Sequence, residues 1–191
     1  MRSNFIEVNE VDEDWFKQLS RMDGDTLRHL MEKYGEDIWN YAYFLTKRHE
    51  AADDISQEVF VKAYMHIGSF RGECSIKTWL LTITRRQSFN HLQSAYWRKV
   101  TLMDLVSRKD TAASAEQQAM DRMMTDRLWE TVLSLPVKYR EVLVLEAHYS
   151  MPMREMAELL GIRLGTVKSR LNRARAKVGE ALKEGIEYGS V

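Results

Sequence analysis

Between Gly161 and Val178 the chain reads GIRLGTVKSRLNRARAKV, six Lys/Arg and no acid. A solvated helix face mixes signs, so a run of one sign implies something negative opposite it. Val167, Leu171, Ala174 and Val178 recur at spacings of four, three and four, one inward stripe of a helix. Lys168, Ser169, Asn172, Arg173 and Arg175 then face outward. Arg and Asn match the major-groove edges of guanine and adenine by paired hydrogen bonds. Further cations, here Arg170 and Arg175, neutralise phosphates and fix register. Met153, Met156, Ala157 and Leu160 form a short apolar face just upstream. Gly161 suits the end of that first helix, and Thr166 is the expected N-cap of the next. The unit predicts a helix-turn-helix whose second helix reads DNA.

Catalytic constellations are missing from the sequence. The histidines, at 29, 49, 66, 91 and 148, are scattered. HEAAD at 49–53 lacks the second histidine of a zinc-protease motif. There is no phosphate-binding Gly loop and no GxSxG, and Cys74 has no partner for an internal disulfide. The expectation is a DNA-positioning protein that is not an enzyme, with no metal and no cofactor.

These side chains need elements to hold them. The chain has 191 residues and no net charge, but the charge is segregated. Residues 1–60 hold 7 Lys/Arg against 14 Asp/Glu, and residues 61–109 hold 9 against 2. Residues 110–162 hold 5 against 9, and residues 163–191 hold 7 against 3. Basic blocks attract polyanions; acidic blocks confer solubility or meet basic partners. No apolar run approaches the roughly 18 residues of a membrane span, and the acidic N-terminus lacks a signal-peptide core. The expected location is cytoplasmic. Helical spacing dominates, with only Pro136 and Pro152 as prolines. The predicted fold is all-α: a helical domain over 12–95, a flexible linker over 96–120, and a four-helix domain with the helix-turn-helix over 121–185. Ser75 is the expected cap of the helix that follows the loop GSFRGECS.

LPVKYREVLVLEAHYSMPMREMAELLGIRLGTVKSRLNRARAKV resembles the −35-reading domain of extracytoplasmic-function sigma factors, the small bacterial initiation factors of RNA polymerase. DDISQEVFVKAY is similar to the segment by which that family grips the polymerase clamp. SFRGECSIKTWLLTITRR is similar to its loop and helix that read and melt the −10 element. The resemblance spans about residues 12 to 184. It implies an alternative sigma factor acting in transcription initiation, often in a stress response, with core RNA polymerase, promoter DNA and an anti-sigma factor as partners. It assigns Thr166, Lys168, Ser169, Arg170, Asn172, Arg173 and Arg175 to the −35 element. Phe70, Arg71, Lys77, Arg85, Arg86 and Asn90 fall to the −10 element, and Asp53, Asp54, Gln57 and Glu58 to the polymerase. Phe70 suits either a loop anchor or the wall of a base pocket, and Trp79 suits a core position.

The pattern departs from the family at three places. Pro152 stands where Ser usually caps a helix, which leaves Ser150 or Met151 to cap it. Arg86 and Asn90 stand where the family commonly has Asn and Asp. Cys74 replaces a small residue in the loop. The competing readings are a free-standing helix-turn-helix regulator and an interaction protein held by a partner. The DDISQEVF and FRGECS segments argue against the former.

Overall fold

The computed structural model describes Phe16, Leu19 and residues 21–103 and 127–187. Helix α1 spans Gly24–Thr46. Asp23 starts it: its carboxylate accepts from the Thr26 N–H at 2.8 Å, which satisfies one orphan donor of the first turn. Hydrogen bonding from the Thr26 side chain, together with that N–H, holds the Asp23 carboxyl below its usual range. Lys47 ends the helix in the left-handed region, φ 60°, its N–H on the Tyr43 carbonyl at 2.7 Å. Helix α2, His49–His66, follows at once, and a short 3-10 turn, Ile67–Ser69, leads into the loop. Ser75 caps α3, Ile76–Met103, as its spacing predicts, with Oγ accepting from the Thr78 N–H at 3.0 Å.

The three helices close around Leu30, Ile38, Tyr41, Ile55, Val59 and Leu80, all at most 3% exposed. Residues 96–103, the first part of the expected linker, are helical and continue α3. YWRKVTLM contains neither Gly nor Pro, so nothing interrupts the helix ladder there. Residues 104–126, which hold the rest of the expected linker, lie outside the described residues.

The second domain comprises α4 (Arg127–Ser134), α5 (Val137–Ala147), α6 (Met153–Leu160) and α7 (Leu164–Glu187). Val142, Leu145, Met156, Val167, Leu171 and Ala174 form its core. Among the described residues the chain is all-α, in two helical domains. Gly161 takes the left-handed conformation that closes α6, φ 64°. The Ile162 N–H then reaches back to the Ala157 carbonyl at 3.0 Å.

Two capping expectations fail. Thr166 lies inside the first turn of α7, which begins two residues earlier; its N–H bonds to the Arg163 carbonyl at 2.8 Å. Neither Ser150 nor Met151 caps α6. Pro152 occupies the cap position without any side-chain bond, and its carbonyl takes the Met156 N–H at 2.9 Å. Proline, with its fixed φ and no N–H to satisfy, is suited to a helix start.

The two domains touch. Helix α1 packs on α5, and α3 packs on α6.

Candidate nucleic-acid interface

The inward stripe of α7 is buried at Val167, Leu171 and Ala174, with Val178 half-buried. Lys168, Ser169, Asn172, Arg173 and Arg175 are exposed on the opposite side, while Thr166 and Arg170 are half-buried. Gly161 turns the chain so that α6 braces this helix from behind. Two of the exposed cations are steadied from α5. A terminal guanidinium nitrogen of Arg175 donates to both carboxylate oxygens of Glu146, each at 2.7 Å. The Tyr139 phenol lies against Arg173, whose hydrogen bond pulls the phenol below its ordinary pKa.

The loop and α3 hold the expected −10 set. Arg71, Arg86 and Asn90 are exposed. Phe70 is only 5% exposed, its ring centroid 5.6 Å from that of Trp79. Of the two roles open to it in sequence, it fills that of loop anchor in this arrangement. Arg85 and Arg86 diverge, as adjacent helical residues about 100° apart must. Arg86 points to solvent, while Arg85 lies 4.8 Å over the Phe89 ring and donates to Glu141 at 2.7 Å. Lys77 pairs with Asp37 at 2.7 Å and sits 5.1 Å over the Tyr149 ring.

On α2, Asp53, Asp54, Gln57 and Glu58 are all exposed and form one polar ridge. Asp53 accepts from the Trp39 indole N–H at 2.6 Å, and Glu58 accepts from the Gln87 amide. Sequence reasoning stopped at Glu58 and missed the next turns. Val61, Tyr64 and Met65 are exposed at 57%, 46% and 68%. They continue the ridge at helical spacing from Gln57 and Glu58, a signal the sequence carried. Glu58, Val61, Met65, Gln87 and His91 line a groove of about 800 Å³ beside them.

A second missed cluster lies between the domains. Glu141, 1% exposed, accepts from the Tyr41 hydroxyl at 3.1 Å as well as from Arg85. Burial holds its carboxyl above the usual range, against the pull of Arg85 and Tyr41. Burial and the adjacent Glu141 raise the Tyr41 phenol. Next to it, the Arg140 guanidinium donates to the carbonyls of Phe44, Leu45, Leu133 and Leu135. No sequence period connects residues 100 positions apart, so this cluster left no signal.

Similarity to known proteins follows the same division. The Sigma-70 region 2 model matches residues 30–98 and the Sigma-70 region 4 model matches residues 125–178. RNA polymerase sigma factor YlaC of Bacillus subtilis (strain 168) is 30% identical over 156 residues, 81% of this chain and 90% of its own. ECF RNA polymerase sigma factor SigW of the same organism is 27% identical over 177 residues, covering 88% and 95%. The chain belongs to the extracytoplasmic-function sigma factors. It is thus an alternative sigma factor that binds core RNA polymerase and promoter DNA and directs transcription initiation. Among solved structures, the sigma factor RpoE of Bartonella quintana, in complex with the anti-sigma factor NepR, matches with TM-score 0.66 at 25% identity, covering 84% of this chain and 98% of that one. CnrH, in complex with the cytosolic domain of CnrY, shares the fold at TM-score 0.66 and 22% identity, covering 92% and 99%.

Proposed function

We propose that this sigma factor divides initiation among three faces. The outward face of α7 reads the −35 element, with Asn172 and Arg173 toward base edges and Arg170 and Arg175 toward the backbone. The loop and α3, through Arg71, Lys77, Arg85, Arg86 and Asn90, hold the −10 strand. The α2 ridge from Asp53 to Glu58, extended by Val61 and Met65, seats the polymerase clamp. Residues 12–95 and 121–185 are the two working domains, and the span between them sets their separation on the promoter. Phe70 supports the loop from beneath.

The observation that carries this reading is the division of α7, with an apolar stripe buried and an Asn/Arg/Lys/Ser face exposed. The chemistry of RNA synthesis belongs to the polymerase, and this chain positions DNA without catalysing a step. It works in the cytoplasm, where polymerase and promoter meet. An anti-sigma protein is the expected regulator, since a sigma factor of this fold is solved in complex with such a partner. Run-off transcription with core polymerase on a genomic promoter library tests the assignment. Promoter-specific transcripts that weaken with Arg173→Ala and lose preference at one −35 base pair support it. Transcripts indifferent to every exposed residue of α7 defeat it.

A further inference from the structure

Glu146 stands where an acid is disfavoured twice. It lies in the last turn of α5, Val137–Ala147, where carbonyls without helical partners carry partial negative charge. It also borders the exposed cationic face of α7, so its charge repels the polyanion which that face attracts. Stability does not call for it either. Val142 of α5 and Leu171 and Ala174 of α7, none more than 1% exposed, already share one core. A partly exposed ion pair adds little to that.

What the carboxylate does is fix one side chain. Ala174 is buried, so Arg173 and Arg175, each about 100° from it around the helix, leave α7 on opposite flanks. Arg175 leaves on the flank of Glu146, where its Nη2 donates to both carboxylate oxygens at 2.7 Å. Because one nitrogen makes both bonds, the Nε and Nη1 donors stay open to a second acceptor. A phosphate meets such an edge through charge-assisted hydrogen bonds. An unrestrained arginine loses rotamer freedom when it docks; this one is ordered before DNA arrives.

We propose that Glu146 is a positioning residue of the −35 complex: through Arg175 it presents a preset guanidinium edge to a DNA phosphate, so that an acid beside the DNA-binding face strengthens binding. This rests on the reading of α7 as the −35 helix and of Arg175 as a backbone contact. The pair persists on DNA, with the phosphate as its third member. Glu146 touches no DNA itself, and its favourable effect passes wholly through Arg175.

Electrostatic repulsion and positioning predict opposite signs. Holoenzyme is assembled from core polymerase and the full chain, and its affinity for a fluorescent promoter duplex with a matched −35 element is measured by titration. Glu146→Gln removes the charge and keeps the size, and Glu146→Ala removes the side chain; circular dichroism checks that both keep their helices. If the carboxylate merely repels DNA, both variants bind more tightly. If it positions Arg175, both bind more weakly, by about fivefold. In an Arg175→Ala background the expected sign reverses. Only the charge of Glu146 is left there, and Glu146→Gln should tighten binding by up to about twofold. Tighter or unchanged binding by both Glu146 variants beside an intact Arg175 overturns the proposal, and a loss on Arg175→Ala alone still leaves that arginine a backbone contact. An equal loss in both backgrounds also overturns it, because Glu146 then acts without Arg175. If Arg175→Ala itself costs no affinity, the backbone-contact reading falls and the positioning role falls with it.

Discussion

Arg175 and Glu146 are held by two 2.7 Å bonds from one guanidinium nitrogen to both carboxylate oxygens. The pair bridges α7 to α5 at the edge of the DNA-facing surface. It is partly exposed, with side-chain accessibilities of 55% and 26%, so solvent screens it and it adds little to stability. What it does is hold the Arg175 side chain in place. On DNA the same guanidinium can face a phosphate, with Glu146 behind it.

Arg175→Ala should therefore weaken the promoter-bound polymerase complex alike on matched and scrambled −35 elements. The salt slope of log affinity should fall by roughly one unit. Arg173→Ala should cost about 1–3 kcal/mol and relax preference at one base pair. Binding titrations of the holoenzyme at several salt concentrations separate the two. Equal losses on matched and scrambled DNA for both variants would reduce α7 to an electrostatic anchor.

Arg140 should matter to folding more than any exposed cation. It is 5% exposed, and its guanidinium serves four backbone carbonyls. Two of them, Phe44 and Leu45, end α1, where carbonyls lack helical partners. Arg140→Ala orphans buried acceptors at a cost on the order of 3 kcal/mol or more. Arg140→Lys should recover only part, since an ammonium cannot span the fork. Urea unfolding measures both, and an Arg140→Ala protein as stable as wild type would contradict this role.

How far the sequence was legible follows from the range of each interaction. The α6 bounds, Met153–Leu160, coincide with those read from sequence, because Pro152 and Gly161 mark them locally. The α7 stripe was legible because its 3.6-residue period sits on a single helix. Arg140 was unreadable in its own helix: nothing within a turn of it says that the end of α1 lies opposite. The pairing of Arg85 with Glu141 was equally hidden, so Arg85 read simply as one cation of a basic track. Val61 and Met65 carry no charge to mark them as part of the ridge, and only their exposure in the fold, 57% and 68%, places them on it. The end of α3 at Met103 left little signal, because YWRKVTLM has weak periodicity and neither Gly nor Pro to mark a stop.

The Glu141 carboxyl gives a pH dependence with a definite sign. Burial raises its pKa in the folded protein above the ordinary 4.5, so the folded state holds the proton more tightly than the unfolded one. Its contribution to stability is full below 4.5 and is lost as pH rises through the folded-state value. The groups around it are Tyr41 on α1, Arg85 on α3, Arg140 on its own helix and Arg170 on α7. Glu141→Gln removes the titration and leaves other groups, including His148, to cancel in the comparison. Wild type should gain stability relative to Glu141→Gln as pH falls from 7.5 toward 5. Denaturant titrations at both pH values decide it, and a relative gain by the variant at acid pH would reverse the sign.

The α2 face makes the last prediction, because its two halves demand different behaviour. Asp54 and Glu58 offer charge, which governs how fast and how salt-sensitively a basic partner arrives. Val61 and Met65 offer apolar surface beside them, which governs how long the partner stays. All four are exposed, so their substitution should leave the helical circular dichroism unchanged. Asp54→Lys with Glu58→Lys should slow association with core polymerase and reverse its dependence on salt. Val61→Ser with Met65→Ser should leave association nearly unchanged and accelerate dissociation, by about tenfold for roughly 1.4 kcal/mol of lost burial. Surface-immobilised core polymerase and a concentration series of each variant resolve the two rates. If the Lys pair alters neither rate, the ridge is an ordinary solvated face. If the Ser pair alone changes nothing, the groove beside the ridge lies outside the contact, and the clamp seats on the acidic residues only.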